Sequence, residues 1–239
     1  LPIVMKWRDS CRDFLCHLFS YSTVPTSVLE IIRDHLPTSN QRLFEVWAGT
    51  GYIAKLLGTM GVTVDAFDHC PTLSGENEYH GSTPSFVRVD NMKDYFGNGV
   101  QSMKNVPLLL CYPPPNSSMA SDILWDFIER GGELLFHIGE FRGLTGCDDF
   151  EQTLVSNFDC RVRKSTLVWG SDAAELTVWT RNTGSRKLSL VIPCLSCNTI
   201  EATTRCRVAR HLNFCGQLCL EESMVQLHEH LRWMFVKVC

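Results

Sequence analysis

The sequence predicts an α/β protein with a mostly parallel sheet covered by helices on both faces, followed by a small cysteine-rich module. Short apolar runs alternate with amphipathic helical segments from Leu43 onward. Near residue 180, two strand-like runs leave no room for a helix between them. Six of the twelve cysteines fall between Cys194 and Cys239. With 44% hydrophobic and 20% charged residues, the 239-residue chain can bury a full core, which excludes disorder as its main state.

The sequence of residues 1–40 predicts helices that precede the sheet. Apolar residues between Trp7 and Phe19 recur at helical spacing. Thr26 and Ser27 are the N-cap candidates of a second helix, which Pro37 ends.

The next 120 residues alternate between strand and helix patterns, which favours a parallel sheet. The predicted strands are Leu43–Trp47, Val62–Phe67, Phe86–Val89, Val106–Tyr112 and Glu133–Ile138, and the clearest helices between them are Tyr52–Met60, Ser118–Arg130 and Asp148–Asn157.

The sheet is predicted to finish with an antiparallel hairpin. The strand-like runs Arg161–Trp169 and Glu175–Arg181 are joined by only five residues, too few for a crossover helix. We expect residues 1–181 to form the first domain, 182–189 a linker and 190–239 a separate module.

A glycine-rich turn lies between the first predicted strand and the next helix. It reads Glu45-Val46-Trp47-Ala48-Gly49-Thr50-Gly51, and glycines there let a backbone turn sharply and approach a ligand. The second strand ends in Asp68, where an acid can accept hydrogen bonds from ribose hydroxyls. The third ends near Asp90, which could accept one from an adenine amino group. Together they predict a nucleotide-type cofactor site.

These features resemble the class I S-adenosylmethionine (SAM) dependent methyltransferases. The likeness covers Tyr21 to Arg181 and is closest to a poorly characterised methyltransferase-like group, through EVWAGTGYIAKLL (45–57), NEYHG (77–81), LLLCYPPPNSSMA (108–120) and HIGEFRGLTG (137–146). It implies a Rossmann-like seven-stranded sheet with a reversed seventh strand. It also implies SAM or S-adenosylhomocysteine (SAH) as the cofactor, held by Glu45, Ala48, Gly49, Gly51, Asp68, Asp90 and Cys111.

Two positions depart from the pattern of that family. Trp47 stands where relatives usually have glycine, so its indole either packs beside the cofactor or narrows the pocket. Tyr112-Pro113-Pro114-Pro115 stands where relatives tend to read Trp-Pro-Pro-Tyr. Amine methyltransferases carry Asp/Asn-Pro-Pro-aromatic at this place. Because Tyr112 offers no amide or carboxylate oxygen and Pro115 no stacking ring, direct methylation of a base amine is not supported.

The catalytic candidates are Tyr112 and Glu140, which follow the fourth and fifth predicted strands. His137 lies inside an apolar strand and is read as a core histidine. Tyr79 and His80 belong to a loop that either closes over the cofactor or is purely structural.

Two close cysteine pairs predict a zinc site. Cys194 and Cys197, then Cys215 and Cys219, can supply four thiolates to one structural zinc. A short module has little core of its own, so a metal explains how it folds.

The module resembles a MYND zinc finger, a family that holds two zincs and commonly docks proteins. The second site is degenerate, because Ala209 replaces the cysteine expected after Cys206 and Cys239 is too distant. The resemblance implies one zinc and a protein partner.

Charge is uneven along the chain. Residues 181–239 carry eight basic and four acidic side chains, whereas the whole chain has a net charge of -4. A basic tail permits RNA contact without demonstrating it. No apolar run is long enough to span a membrane. We expect an intracellular protein of the cytoplasm or of an organelle such as the mitochondrion, trimmed ahead of Leu1.

Three functional interpretations stay open. The first is an active SAM-dependent methyltransferase of unknown acceptor. The second is an inactive relative that serves as a structural or assembly subunit of a protein or ribonucleoprotein complex. The third, a nucleotide-binding dehydrogenase, fits the predicted antiparallel hairpin poorly.

Overall fold

The fold is described from a computed structural model. It describes residues 2–93, 102–141, 145–166, 174–182, 204–205 and 213–214. The chain divides into two compact units, Leu1–Leu188 and Ser189–Cys239.

The first unit contains a seven-stranded sheet in the order β3-β2-β1-β4-β5-β7-β6. Strands β1 to β5 run parallel to one another, and β7 lies antiparallel to both β5 and β6. The α/β class, the Rossmann-like parallel order and the reversed last strand are therefore confirmed. The strands are β1 Arg42–Val46, β2 Thr63–Asp68, β3 Val89–Asn91, β4 Leu108–Cys111, β5 Leu134–Gly139, β6 Phe158–Ser165 and β7 Glu175–Arg181.

The described helices of this unit match the predicted segments to within a few residues. They are α1 Pro2–Leu18, α2 Thr26–His35, α3 Tyr52–Thr59, α4 Met119–Glu129 and α5 Asp148–Asn157, with a 3-10 turn at Thr72–Ser74. None of the helices in the described ranges is long and apolar enough to cross a membrane.

The predicted cap of α2 is wrong. Thr26 and Ser27 lie inside the helix, and the N-cap is Pro25, with no side-chain hydrogen bond. The Pro25 carbonyl accepts from the backbone N–H groups of Val28 and Leu29. Proline holds the extended backbone that enters the helix (φ -67°, ψ 154°), so the hydroxyl residues are not needed as caps.

The third strand begins three residues later than predicted. The N–H of Phe86 donates to the Thr50 carbonyl, and the Phe86 ring stacks on Phe19 at 5.8 Å between centroids. These contacts hold Phe86 outside the ladder, which starts with Val89 opposite Ala66. Asp90 is therefore a mid-strand residue rather than one that follows the strand.

The core lies on both sides of the parallel strands. Leu108, Leu109 and Leu110 of β4 are each 0% exposed. Because consecutive strand residues point to opposite faces, both faces of the sheet are covered. Helix α2 contributes Val28 and Ile32 to the same core as Phe136 and Val178 of the sheet.

In the second unit, a two-residue antiparallel pair is described, β8 Thr204–Arg205 with β9 Asn213–Phe214. The predicted zinc ligands lie outside the described residues.

Candidate functional site

A cavity of about 640 Å³ opens at the carboxyl ends of the central strands. It is lined by residues that follow β1 (Trp47, Ala48, Gly49), by the last residue of β2 (Asp68) and by Tyr112, which follows β4. Strands β1 and β4 are neighbours in the sheet, although β2 and β3 intervene in the sequence. This is the topological switch point, where open α/β sheets bind their ligands.

The glycine turn and Asp68 are joined directly. The N–H of Gly49 donates to Asp68 Oδ2 over 2.9 Å, and the N–H of Cys70 donates to Oδ1 over 3.1 Å. Asp68 is 7% exposed, and its burial raises the pKa of the carboxyl, while the two N–H groups oppose that shift. Oδ2 retains a second lone pair for a ligand hydroxyl, whereas Oδ1 also accepts from the Asn77 side chain.

Glu45 forms the floor beneath the turn. It is 1% exposed, and burial raises its pKa to about 8, helped by the nearby charge of Asp68 and opposed by a hydrogen bond from the Ala54 N–H. Its Oε2 atom is buried and has no hydrogen-bond partner among the described residues. An unpaired buried carboxyl oxygen is costly, so this one is a candidate contact for a bound ligand.

Trp47 and Tyr112 have left-handed backbones, with φ of 60° and 52°. Residues with a side chain rarely adopt this backbone conformation, which glycine favours. The backbone strain that results is typical of functional sites. Both side chains line the cavity. The Trp47 indole N–H is buried and finds no acceptor within the described part of the chain.

The loop at 77–81 is anchored to the Asp68 side of the cavity through Asn77. The Asn77 side chain donates to Asp68 Oδ1 and to the Cys70 carbonyl, and accepts from the N–H groups of Tyr79 and His80. This makes the loop a cavity wall tied to Asp68, with Tyr79 and His80 both lining the cavity.

His80 lies over the glycine turn. Its Nδ1 atom is 3.0 Å from the His17 carbonyl, an acceptor, so Nδ1 carries the proton. Burial lowers the pKa of His80 despite that hydrogen bond, which leaves Nε2 unprotonated. The neutral ring sits against Gly49 beside Asp68.

The N-terminal segment supplies cavity residues that the sequence analysis did not identify. Arg12, Ser20 and Tyr21 line the cavity. The Thr50 hydroxyl donates to the Phe19 carbonyl, and the Phe19 ring meets Tyr52 edge-on at 5.3 Å. No local pattern predicts this docking, because it joins residues about thirty positions apart.

The far wall of the cavity follows β4 and β5. The N–H of Tyr112 donates to the Ile138 carbonyl over 2.8 Å, which sets Tyr112 beside the end of β5. Glu140 lines the cavity there and is 7% exposed; its N–H donates to the Thr145 hydroxyl over 2.9 Å. Both catalytic candidates therefore lie at one cavity.

Buried Cys111 also lines the cavity, and its burial raises the pKa of the thiol. His137 is 0% exposed and does not line it. The Thr177 hydroxyl lies 3.5 Å from His137 Nδ1, and burial lowers the pKa of His137 to about 3. His137 is therefore a neutral histidine of the core, as its place in an apolar strand predicts.

Two residues of the predicted cofactor set lie outside the cavity. Gly51 is the N-cap of α3 (φ 71°), and a side chain there would crowd Val87. Asp90 pairs with Arg88 Nε over 2.7 Å, on a surface where the Arg88 side chain is 85% exposed. The other five residues of that set line the cavity, namely Glu45, Ala48, Gly49, Asp68 and Cys111.

Within the described ranges, no group of three or more His, Cys, Asp or Glu side chains could hold a metal. The four cysteines predicted to bind zinc are outside those ranges.

Comparison with known proteins gives matches among solved structures. A ribosomal protein L11 methylase from Lactobacillus delbrueckii subsp. bulgaricus is 14% identical, with a TM-score of 0.41, over 65% of this chain and 77% of that one. A protein described as a type 11 methyltransferase from Sulfolobus solfataricus is 11% identical, with a TM-score of 0.46, over 70% and 96%.

A Streptococcus pneumoniae protein described as a tRNA (m1A22) methyltransferase, in complex with S-adenosyl-L-methionine, is 16% identical, with a TM-score of 0.42, over 69% and 76%. No protein-family model and no curated protein matches the sequence.

Proposed function

We propose that this chain is a SAM-dependent methyltransferase whose C-terminal module docks a partner. One observation carries the proposal: the cavity at the switch between β1 and β4 has Asp68 hydrogen-bonded to the glycine turn through the Gly49 N–H. An acid at the end of the second strand and a glycine turn beside it suit a nucleoside cofactor at that place in an α/β sheet.

The residues present fit SAM in two respects. Asp68 Oδ2 retains a lone pair for a ribose hydroxyl, and the buried, unpartnered Glu45 Oε2 offers a contact to a polar ligand. When bound, SAM would supply an electrophilic methyl group. Transfer needs mainly an aligned donor and nucleophile, which the cavity walls would position.

The test is isothermal titration of the full chain with SAM and with SAH. Asp68→Ala should weaken binding by about 1–3 kcal/mol, because ribose hydroxyls lose their acceptor. The matched control is Asp90→Ala, which removes a carboxylate from the neighbouring strand but outside the cavity. That variant should bind as the wild type does; a loss there would instead support the sequence-based role of Asp90 at the adenine.

Unfolding midpoints of both variants separate lost binding from lost folding. Absence of affinity for either molecule at millimolar concentration in the wild type would refute the enzyme proposal. It would favour the inactive-subunit interpretation, whose supporting observation is the Trp47 side chain that lines the cavity.

For the C-terminal module we propose one structural zinc held by Cys194, Cys197, Cys215 and Cys219, and a protein as the docked partner. Four thiolates would close the tetrahedral shell of zinc and leave no position for a catalytic water. RNA contact through the basic residues of 181–239 is a further proposal, which a salt-dependent binding assay would test.

A further inference from the structure

Three tyrosines form one wall of the cavity. The Tyr21 and Tyr79 rings meet at 5.7 Å between centroids and 89° between planes, and the Tyr21 and Tyr112 rings at 6.3 Å and 32°. They come from three separate segments, before α2, after β2 and after β4. We call Tyr21, Tyr79 and Tyr112 the tyrosine wall.

The tyrosine wall runs from the loop tied to Asp68, which carries Tyr79, to Tyr112 on the other side of the switch point. Asp68 ends β2, whereas Tyr112 follows β4 and lies beside the end of β5, where Glu140 lines the cavity. With the cofactor placed at Asp68 as proposed above, the β4 and β5 side is left for the methyl acceptor.

The charged side chains that line the cavity are mostly acidic. Glu76, Glu78 and Glu140 line the cavity with Asp68 and Glu45, and Arg12 is the one lysine or arginine among the described lining residues. Even with Glu45 protonated, the carboxylates outnumber Arg12. Such a cavity attracts a cation and repels phosphates.

The tyrosine rings, like the carboxylates, are suited to binding a cation. Burial raises the pKa of both Tyr21 and Tyr79, so the phenols stay neutral at physiological pH. A neutral aromatic face attracts a cation within about 6 Å of its centroid, and clustered faces bind alkylammonium groups. Rings nearly perpendicular to one another present two sides of such an enclosure.

We propose that the tyrosine wall and its carboxylates bind the ammonium end of an aliphatic amine, and that this amine is the methyl acceptor. The inference rests on the proposed SAM-dependent activity. The ammonium group first gives one proton to a lining carboxylate and thence to water. The nitrogen lone pair then bonds to the methyl carbon while the carbon–sulfur bond breaks, its electron pair staying on sulfur, so SAM becomes SAH and the product is an N-methylammonium.

The test compares choline with 3,3-dimethylbutan-1-ol, its uncharged isostere, by titration into the full chain saturated with SAH. We expect choline to bind at least tenfold more tightly than the alcohol. Tyr79→Leu, at a side chain that is 38% exposed, should weaken choline binding about tenfold, whereas Tyr79→Phe keeps the ring and should change it less than twofold. Tyr21→Leu and Tyr21→Phe form a second matched pair, and SAH affinity should be unchanged in these two variants.

Equal affinities for choline and the alcohol, or choline binding that survives both leucine variants, would overturn the inference while leaving SAH binding intact. If choline instead competes with SAM but not with SAH, the wall serves the sulfonium of the donor, which also overturns the acceptor assignment. Failure of the wild type to bind SAH would refute the proposed function itself.

Discussion

The imidazole of His80 occupies the space into which a side chain on Gly49 would project. A Cβ built on Gly49 would lie 2.7 Å from His80 Cδ2. Gly49 also has a φ of 55°, which favours glycine. Absence of a side chain at Gly49 thus serves two purposes: it permits the turn and it admits the ring of the neighbouring loop.

Gly49→Ala should therefore destabilise the fold more than its backbone conformation alone requires. The matched control is Gly75→Ala, at φ 73° with nothing within 4 Å of the added carbon. Gly75→Ala should cost about 1 kcal/mol, and Gly49→Ala clearly more, in urea unfolding. In a His80→Ala background the cost of Gly49→Ala should fall to that of the control. If the losses in unfolding free energy caused by Gly49→Ala and His80→Ala simply add, the two residues are not in contact.

A pH dependence of stability should follow from Glu45. Its folded pKa is about 8, above the ordinary 4.5. Between those values the folded state holds a proton that the unfolded state has lost, so this contribution to stability is complete below about pH 4.5 and is lost as pH rises through 8. The slope is at most about 1.4 kcal/mol per pH unit.

Glu45→Gln cannot ionise and should remove that slope. We expect the free energy of unfolding of the variant to exceed that of the wild type increasingly from pH 5 to pH 8.5. Chemical denaturation at several pH values measures it. Parallel curves for the two proteins would show that Glu45 is ionised in the fold.

Trp47→Gly should increase SAM affinity, by roughly tenfold or less (about 1.4 kcal/mol). The indole lines the cavity from a left-handed backbone, and glycine would both widen the cavity and suit that conformation. Trp47→Phe, which keeps a ring and the strained backbone, is the control. A loss of affinity in the glycine variant would mean that the indole packs productively beside the cofactor.

The full chain should contain about one zinc, a prediction that rests on sequence spacing alone. Elemental analysis measures it: Cys194→Ser and Cys215→Ser should lose the metal, and Cys206→Ser and Cys239→Ser should keep it. A chelator should unfold the module and spare the larger unit, since the metal's binding energy is its folding energy. A content near two zincs per chain would indicate a complete MYND pattern. A chain without zinc would refute both the one-zinc and the two-zinc site.

The sequence by itself determined the sheet, because alternating apolar runs and helical segments have local periods that can be read directly. It also identified the glycine turn and Asp68, since both lie at strand ends that topology brings together. The reversed final hairpin followed from the short interval between its strands.

Only the tertiary structure decided which polar residues share the cavity. Asp90 has the right spacing, but β3 begins later because Phe86 packs on Phe19, and Asp90 then faces Arg88. Tyr21 reaches Tyr112 across ninety positions of sequence, a contact that no local pattern encodes. Strand pairing fixes the position of a residue along the sheet, whereas long-range packing decides which residues its side chain contacts.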